Sequence, residues 1–324
     1  MATHTRYAPD RGLTVRMTAT MFLLGLVFVA FVALIIGIMT AAHASGAAII
    51  LVAVVFGGGS AFISLFYSDK IALAAAGARV VTPKEAPELH GIVDRLCALA
   101  DMEKPRVAIA PARLPNAFAT GRNSKNSVLC VTDGLLYQSR LTQEELEGVL
   151  AHELSHVAHK DVQVMTYASL LAIVAGLLVR FAFYSELFGG GRRSCNDGNA
   201  ALLIPLILVA SALVYAISFL LIRVLSRYRE LAADRSGALL TQNPSALISA
   251  LTKVSQGMNR IPTQDLRKAE PLNTFYFAPA MKLNGPKTLS TLFSTHPSLE
   301  KRIEQLTKIQ RELGQVGSDP RGLK

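Results

Sequence analysis

Four long apolar stretches limit the folds open to this chain more than any other feature of its sequence. Each has about 18 or more residues without a charged side chain, and they cover residues 17–42, 47–67, 162–179 and 200–222. A helix of that length crosses a hydrocarbon core of about 30 Å. The stretches make the chain 51% hydrophobic, which is too apolar for one ordinary soluble domain. The sequence therefore predicts about four transmembrane helices, the first of which is too long for a signal peptide.

The basic residues indicate how these helices are oriented. They flank the first pair of apolar stretches, with Arg6, Arg11 and Arg16 before the pair and Lys70, Arg79 and Lys84 after it. The turn between the two stretches has no Lys or Arg, so the positive-inside rule places the N-terminus and the middle segment in the cytoplasm. Arg192 and Arg193 in the loop 185–199 depart from this pattern. Because many of the basic residues flank the apolar stretches, the net charge of +10 is interpreted as a feature of a membrane protein, and no nucleic-acid partner is predicted.

The strongest chemical signal is the run His-Glu-Leu-Ser-His at residues 152–156. On a helix with 3.6 residues per turn, His152 and His156 share one face and can bind one metal ion. Glu153 then lies beside the metal, where a base must stand to take a proton from a zinc-bound water. The alternative is a pair of ordinary histidines on an amphipathic helix. His159 lies about two turns from His152 and is expected to be solvated or to lie next to the site.

The helix that carries this run is predicted independently, over residues 143–160. Thr142 followed by Glu145 is a capping box, and acidic residues fill the first turn. The three cysteines, Cys97, Cys130 and Cys195, are widely spaced and indicate neither a disulfide framework nor a thiolate zinc cluster.

A catalytic zinc ion needs three protein ligands and one open position, so a third ligand is required. Glu230 is the candidate, and Asp234, one turn further on, can accept a hydrogen bond from the free ring nitrogen of a ligand histidine. Taken alone, both acids are better explained by ion pairs with neighbouring arginines. Their position changes that balance. His156 precedes the third apolar stretch by about six residues and Glu230 follows the fourth by about eight, so both should reach the same membrane face.

Short β-rich runs between the two pairs of apolar stretches predict a small sheet, at residues 106–110, 116–120 and 127–132. A peptide can add to the edge of such a sheet through main-chain hydrogen bonds. On that basis four residues are predicted to bind substrate: Asn116, Ala117, Phe118 and Ala119. A purely structural hairpin is an equal alternative.

The predicted fold class is α+β, a mainly helical, zincin-like catalytic domain with a small β-sheet, carried on about four transmembrane helices. Its predicted segments are a cytosolic tail at 1–16, a transmembrane hairpin at 17–67, a catalytic part at 68–161, a second hairpin at 162–222, a second catalytic part at 223–313 and a flexible tail at 314–324. His296 opens the last amphipathic helix, through about residue 313, and either caps that helix or reaches the site to stabilise an oxyanion.

Jointly these motifs resemble the HtpX-type membrane zinc metalloproteases, which are relatives of the CAAX prenyl proteases. The matching pieces keep that family's order and lie at residues 115–121, 152–156, 226–234 and 293–297. The resemblance implies a zinc ion with three ligands, His152, His156 and Glu230. It also implies Glu153 as the catalytic base and a role in clearing damaged or misassembled membrane proteins under stress. Leu231 departs from the family, which commonly has an aromatic residue there.

The sequence thus predicts a zinc metalloendopeptidase of the bacterial cytoplasmic membrane, with its active site on the cytoplasmic side. Its expected partners are the lipid bilayer and membrane-protein or unfolded polypeptide substrates. Two alternatives are a prenyl-protein endoprotease and a membrane scaffold or transporter with a structural metal site. A structural zinc site has four protein ligands and a transporter carries ionisable residues within its spans, and neither pattern is evident in the sequence.

Overall fold

The computed structural model of the chain describes residues 11–41, 47–188, 198–259 and 296–318. The described helices are α1 (Arg11–Ala41), α2 (Ala47–Ala76), α3 (Pro87–Ala100), α4 (Gln143–Ala158), α5 (Asp161–Phe188), α6 (Gly198–Thr241), α7 (Pro244–Asn259) and α8 (Leu299–Ser318). The strands are β1 (Arg79–Val80), β2 (Arg106–Ala110), β3 (Ala117–Gly121) and β4 (Ser127–Thr132). The prediction of a mainly helical chain with a small sheet is confirmed. The start of the N-terminal tail, Cys195 and the end of the C-terminal tail lie outside the described residues.

Contacts divide the chain into two compact units. The first contains the described parts of 1–15, 66–162 and 226–324, and the second contains 16–65 and 163–225. The second unit is built from apolar helices that pack around a small buried cluster, which includes Leu24, Phe31 and Ala175. Large side chains on its outside are open, such as Phe22, which is 74% exposed. Exposed apolar surface of this kind is typical of a face that contacts lipid.

Two of the described helices are long and apolar enough to cross a membrane, over Arg11–Leu34 and Pro205–Thr241. A third span results if Gln143–Ala158 and Asp161–Leu177, which meet at a bend of 54°, count as one. The prediction of four spans is therefore not confirmed. The second apolar stretch is helical, as α2, but many of its side chains lie outside the described part of the chain.

The first unit contains a mixed four-stranded sheet in the order β1-β2-β4-β3. β2 and β4 are parallel, and the two outer strands pair antiparallel with them. The three predicted strands are present within one residue at each end, whereas β1 has only two residues and was not predicted. Leu129 of the sheet packs with Leu96 of α3 and Leu150 of α4 in one buried core. This core holds α4 against β3, which is an edge strand of the sheet.

Local interactions at its start fix where α4 begins. Thr142 Oγ1 accepts a hydrogen bond from Glu145 N at 3.3 Å, and Glu145 Oε2 accepts one from Thr142 N at 2.8 Å, which is the predicted capping box. Glu145 also accepts from Lys253 Nζ at 2.7 Å and from Ser249 Oγ at 2.5 Å. Because both of these residues lie on α7, the capping glutamate also ties α4 to its neighbour.

The ends of two other helices are also defined by the structure. Glu85 Oε2 accepts hydrogen bonds from Thr82 N and Thr82 Oγ1, which close a turn, and α3 begins after that turn at Pro87, where a proline suits the first helical turn. The last helix continues to Ser318, five residues beyond the predicted end at 313.

Candidate metal centre

Three side chains from two helices of the first unit converge on one point. His152 and His156 lie one turn apart on α4, and their Nε2 atoms are 3.2 Å apart. Glu230 reaches them from α6, with Oε2 3.7 Å from His152 Nε2 and Oε1 3.5 Å from His156 Nε2. The structure thus brings the three predicted ligands together as a candidate metal-binding triad.

The spacing of these atoms fits a zinc ion. Zinc binds imidazole nitrogen at about 2.0–2.1 Å in a tetrahedron, which puts neighbouring ligand atoms about 3.3 Å apart. The nitrogen-to-nitrogen distance of 3.2 Å agrees with that value, and the carboxylate distances of 3.5 and 3.7 Å are slightly longer. In a neutral imidazole, one ring nitrogen has a lone pair that can bind a metal ion. The two histidine nitrogens therefore suit a zinc ion in their chemistry as well as in their spacing.

The charges around the triad also call for a cation. Four acids are buried here, namely Glu153, Asp161, Glu230 and Asp234, against two buried arginines, Arg229 and Arg302. With neutral histidines, these described residues carry an excess of two negative charges when all four acids are ionised. Buried charge of one sign is costly unless it is paired or bound to a metal. A divalent cation would balance the excess.

The outer ring nitrogen of each histidine faces an aspartate. His152 Nδ1 lies 2.9 Å from Asp234 Oδ1, and His156 Nδ1 lies 2.5 Å from Asp161 Oδ2. Arg302 of α8 binds Asp234 through two hydrogen bonds, of 2.7 and 2.6 Å. The contact of Asp234 was predicted, but the contact of Asp161 was missed. Its position at the start of α5, five residues after His156, was the only signal available in the sequence.

Glu153 lies beside the triad and is almost fully buried, with 4% of its surface exposed. Its Oε2 accepts a hydrogen bond from the main-chain amide of Ala119 in β3, at 3.2 Å. Burial raises the pKa of Glu153 to about 8, and the nearby charge of Glu230 adds to this effect, while His156 and the Ala119 amide oppose it. The carboxylate is therefore held in place by the edge strand and is readily protonated, as a group that exchanges protons must be.

The two remaining histidines of interest are placed differently. His296 is buried, and its Nδ1 lies 3.0 Å from Glu230 Oε2. It therefore reaches the site, where its observed contact is with the third ligand. The oxyanion role of His296 stays a prediction. His159 stands outside the triad, with Nε2 3.3 Å from Ser236 Oγ of α6.

The predicted substrate strand is only partly accessible. Asn116, Ala117 and Phe118 are buried, whereas Ala119 is half-buried. Asn116 O bonds to Thr132 N of β4, and Ala119 N points the other way, towards Glu153. Because neighbouring residues of a strand alternate in direction, the main-chain groups of Ala119 face away from the sheet.

The close approach of α6 to α4 depends on Gly237, and Gly237→Ala is expected to weaken the metal site. A Cβ atom there would lie 2.9 Å from His152 N and 3.1 Å from His152 Cα. Both are backbone atoms, so the helices that supply the ligands would have to separate, at a cost of about 1–3 kcal/mol. We expect a lower melting temperature and a lower zinc affinity, measured by thermal unfolding and by competition with a coloured chelator.

Gly148→Ala on α4 is the matched control for this substitution. Its Cβ would meet Leu247 at 3.4 Å, which is ordinary contact, and alanine favours a helix. This variant should keep the zinc affinity of the native chain. Equal zinc affinities for the two variants would show that the approach at Gly237 does not position the ligands.

Comparisons with known proteins bear on the same residues. A sequence profile of peptidase family M48 matches residues 83–310. Protease HtpX homolog 1 of Streptomyces coelicolor is 56% identical over 311 residues, which are 96% of this chain and 97% of that protein. The Protease HtpX homolog of Moorella thermoacetica is 48% identical over 305 residues, 94% of this chain and 96% of that one. The crystal structure of S. mikatae Ste24p covers 92% of this chain and 66% of its own, with 17% identity and a TM-score of 0.48.

Proposed function

Since the chain belongs to peptidase family M48, as an HtpX-type metalloprotease, we propose that it is a zinc metalloendopeptidase that cleaves cytosolic parts of damaged or misfolded membrane proteins. The observation that carries the proposal is the triad of His152, His156 and Glu230 with the carboxylate of Glu153 beside it. Two histidines and a glutamate are a known ligand set for catalytic zinc, and they leave a fourth position open.

Each residue has a distinct task in peptide hydrolysis. When bound, zinc supplies Lewis acidity, which polarises a carbonyl oxygen and lowers the pKa of water from about 16 to about 7. Glu153 takes the proton of the attacking water and passes it to the leaving amine. The Ala119 amide, 3.2 Å from Glu153 Oε2, keeps that carboxylate aimed. No serine or cysteine nucleophile is required.

The substrate is proposed to lie along β3 as an extended strand. Ala119 is half-exposed and its main-chain groups face away from the sheet. Because its N–H donates to Glu153, its carbonyl oxygen is the group that can accept a hydrogen bond from a peptide irrespective of the peptide's sequence. The buried state of Asn116, Ala117 and Phe118 restricts the first contact to the end of the strand near Ala119. Main-chain pairing of this kind suits an enzyme that acts on many unfolded substrates.

The membrane setting is part of the proposal. α6 contains a candidate span that begins at Pro205, and the same helix carries Glu230 further along. The distribution of Lys and Arg around the first predicted hairpin favours a site on the cytoplasmic side of the membrane. A protease that is anchored in the bilayer and binds the main chain of its substrate is suited to the quality control of membrane proteins.

Removing the metal is the first test of this function. The detergent-purified chain should cleave an unfolded polypeptide, lose that activity on treatment with a chelator and regain it with one equivalent of Zn²⁺. A membrane-embedded substrate with labelled loops then tests on which side of the membrane the chain cleaves. Cuts confined to the loops opposite the cytoplasm would overturn the cytosolic assignment, and a zinc-loaded chain that cuts nothing would overturn the peptidase assignment.

A further inference from the structure

We propose that Asp161, anchored by Arg229, is a positioning residue that fixes the ring of His156 for metal binding. The proposal rests on the zinc site proposed above and extends it to Asp161, which lies outside the matching motifs, and to Arg229, which holds Asp161 in place. Asp161 Oδ2 contacts both His156 Nδ1, at 2.5 Å, and Arg229 Nη2, at 2.6 Å. The aspartate and the arginine are buried, with 3% and 7% of their surfaces exposed.

The contact sets the tautomer of the histidine. A carboxylate at Nδ1 accepts the ring proton, which leaves Nε2 with its lone pair directed at the metal position. His156 Nε2 is the atom that faces His152 Nε2 and Glu230 Oε1, at 3.2 and 3.5 Å. The interaction of Asp161 therefore acts on the ligand atom through the ring.

The site repeats this arrangement. The outer ring nitrogen of each ligand histidine lies against a buried aspartate, and each aspartate is held by a buried arginine, giving the chains His156–Asp161–Arg229 and His152–Asp234–Arg302. The arginine compensates a carboxylate that would otherwise be buried without a counter-charge. Two equivalent relays on the two histidines indicate a shared task in orientation.

The anchor of Asp161 also links the ligands to one another. Asp161 begins α5 directly after the turn at Lys160, whose φ of 56° ends α4. Arg229 directly precedes Glu230 on α6. The ion pair therefore ties the end of the helix that supplies His156 to the backbone that supplies Glu230, and it fixes the distance between the two ligands.

The test compares three variants of the full chain with the native chain, all purified in detergent. Asp161→Asn removes the charge but leaves Arg229 buried without its partner. The double variant Asp161→Asn with Arg229→Met removes both charges, so neither charge is left buried without its partner. The matched control, Asp69→Asn with Arg106→Met, removes an ion pair of the same unit that touches no ligand. Zinc affinity is measured by chelator competition, ligand geometry by the visible spectrum of the Co²⁺ form, and stability by thermal unfolding of the metal-free chain.

Both Asp161 variants are expected to bind zinc about 10–100-fold more weakly and to change the Co²⁺ spectrum. The double variant should melt closer to the native chain than the single variant does, and the control pair should keep native zinc affinity. A double variant that regains native affinity together with stability would show a purely structural ion pair and overturn the proposal. Failure of the native chain to bind zinc would instead overturn the proposed function itself.

Discussion

Glu153→Gln is expected to abolish measurable peptide hydrolysis while the chain still holds its zinc. Glutamine has the shape of glutamate, and its carbonyl oxygen can accept the hydrogen bond that Ala119 N donates to Glu153. It cannot take a proton from water, however, and loss of a general base lowers kcat/KM by about 10²–10⁴-fold. The measurement is cleavage of an unfolded polypeptide, with bound zinc determined on the same samples.

Glu147→Gln is the matched control, since Glu147 lies on the same helix and pairs with Arg95 at the surface. It should leave both hydrolysis and zinc content unchanged. A Glu153→Gln variant that cuts at the native rate would exclude Glu153 as the base. A variant that has lost its zinc would show that the carboxylate is needed for metal binding and would leave His152, His156 and Glu230 insufficient as a ligand set.

The parts of the site that depend on neighbouring residues were predictable from the sequence. The capping box of Thr142 and Glu145 fixes the start of α4, and the four-residue spacing of His152 and His156 places both rings on one face. These interactions act within one or two helical turns. They depend mainly on residues close by in the chain, so a pattern in the sequence is sufficient to find them.

Contacts between distant segments were harder to predict, and the ion pair of Asp161 with Arg229 was missed. Asp161 meets Arg229 across 68 positions of the chain, and several other arginines near Glu230 offered the same charge. Which arginine faces which acid depends on the rotation and approach of two helices. Gly237 controls that approach, with a Cβ position only 2.9 Å from the backbone of α4. A sequence pattern contains neither quantity, which explains why Asp234 was found by its spacing from Glu230 and Asp161 was not.

The predicted number of spans is not confirmed, for a related reason. Length and lack of charge show that a helix is able to cross a membrane, but they do not show that it does. Among the described residues, the part of the stretch 162–179 that lies in Asp161–Leu177 passes the test for a span together with Gln143–Ala158, across a bend of 54°. Composition alone does not show whether such a helix crosses the membrane.

Glu230→Ala is expected to cost the chain most of its zinc and all of its activity. A structural zinc site with four ligands binds with about 10–16 kcal/mol, so one ligand contributes about 3 kcal/mol, or roughly a hundredfold in affinity. The substitution also removes a buried negative charge that a cation would balance and the carboxylate that lies 3.0 Å from His296 Nδ1. Zinc affinity by chelator competition and cleavage of an unfolded polypeptide measure the two losses.

Two further variants make the outcome specific to the ligand. Glu312→Ala removes an acid from the surface of α8 and should bind and cut as the native chain does, which excludes a general effect of charge. Glu230→Gln keeps the shape but offers only a neutral oxygen, so it should fall between the native chain and Glu230→Ala. If all three variants bind zinc like the native chain, Glu230 is not the third ligand. His296, whose Nδ1 is 3.0 Å from that carboxylate, then becomes the group to replace next, because no other described histidine apart from the two ligands contacts Glu230.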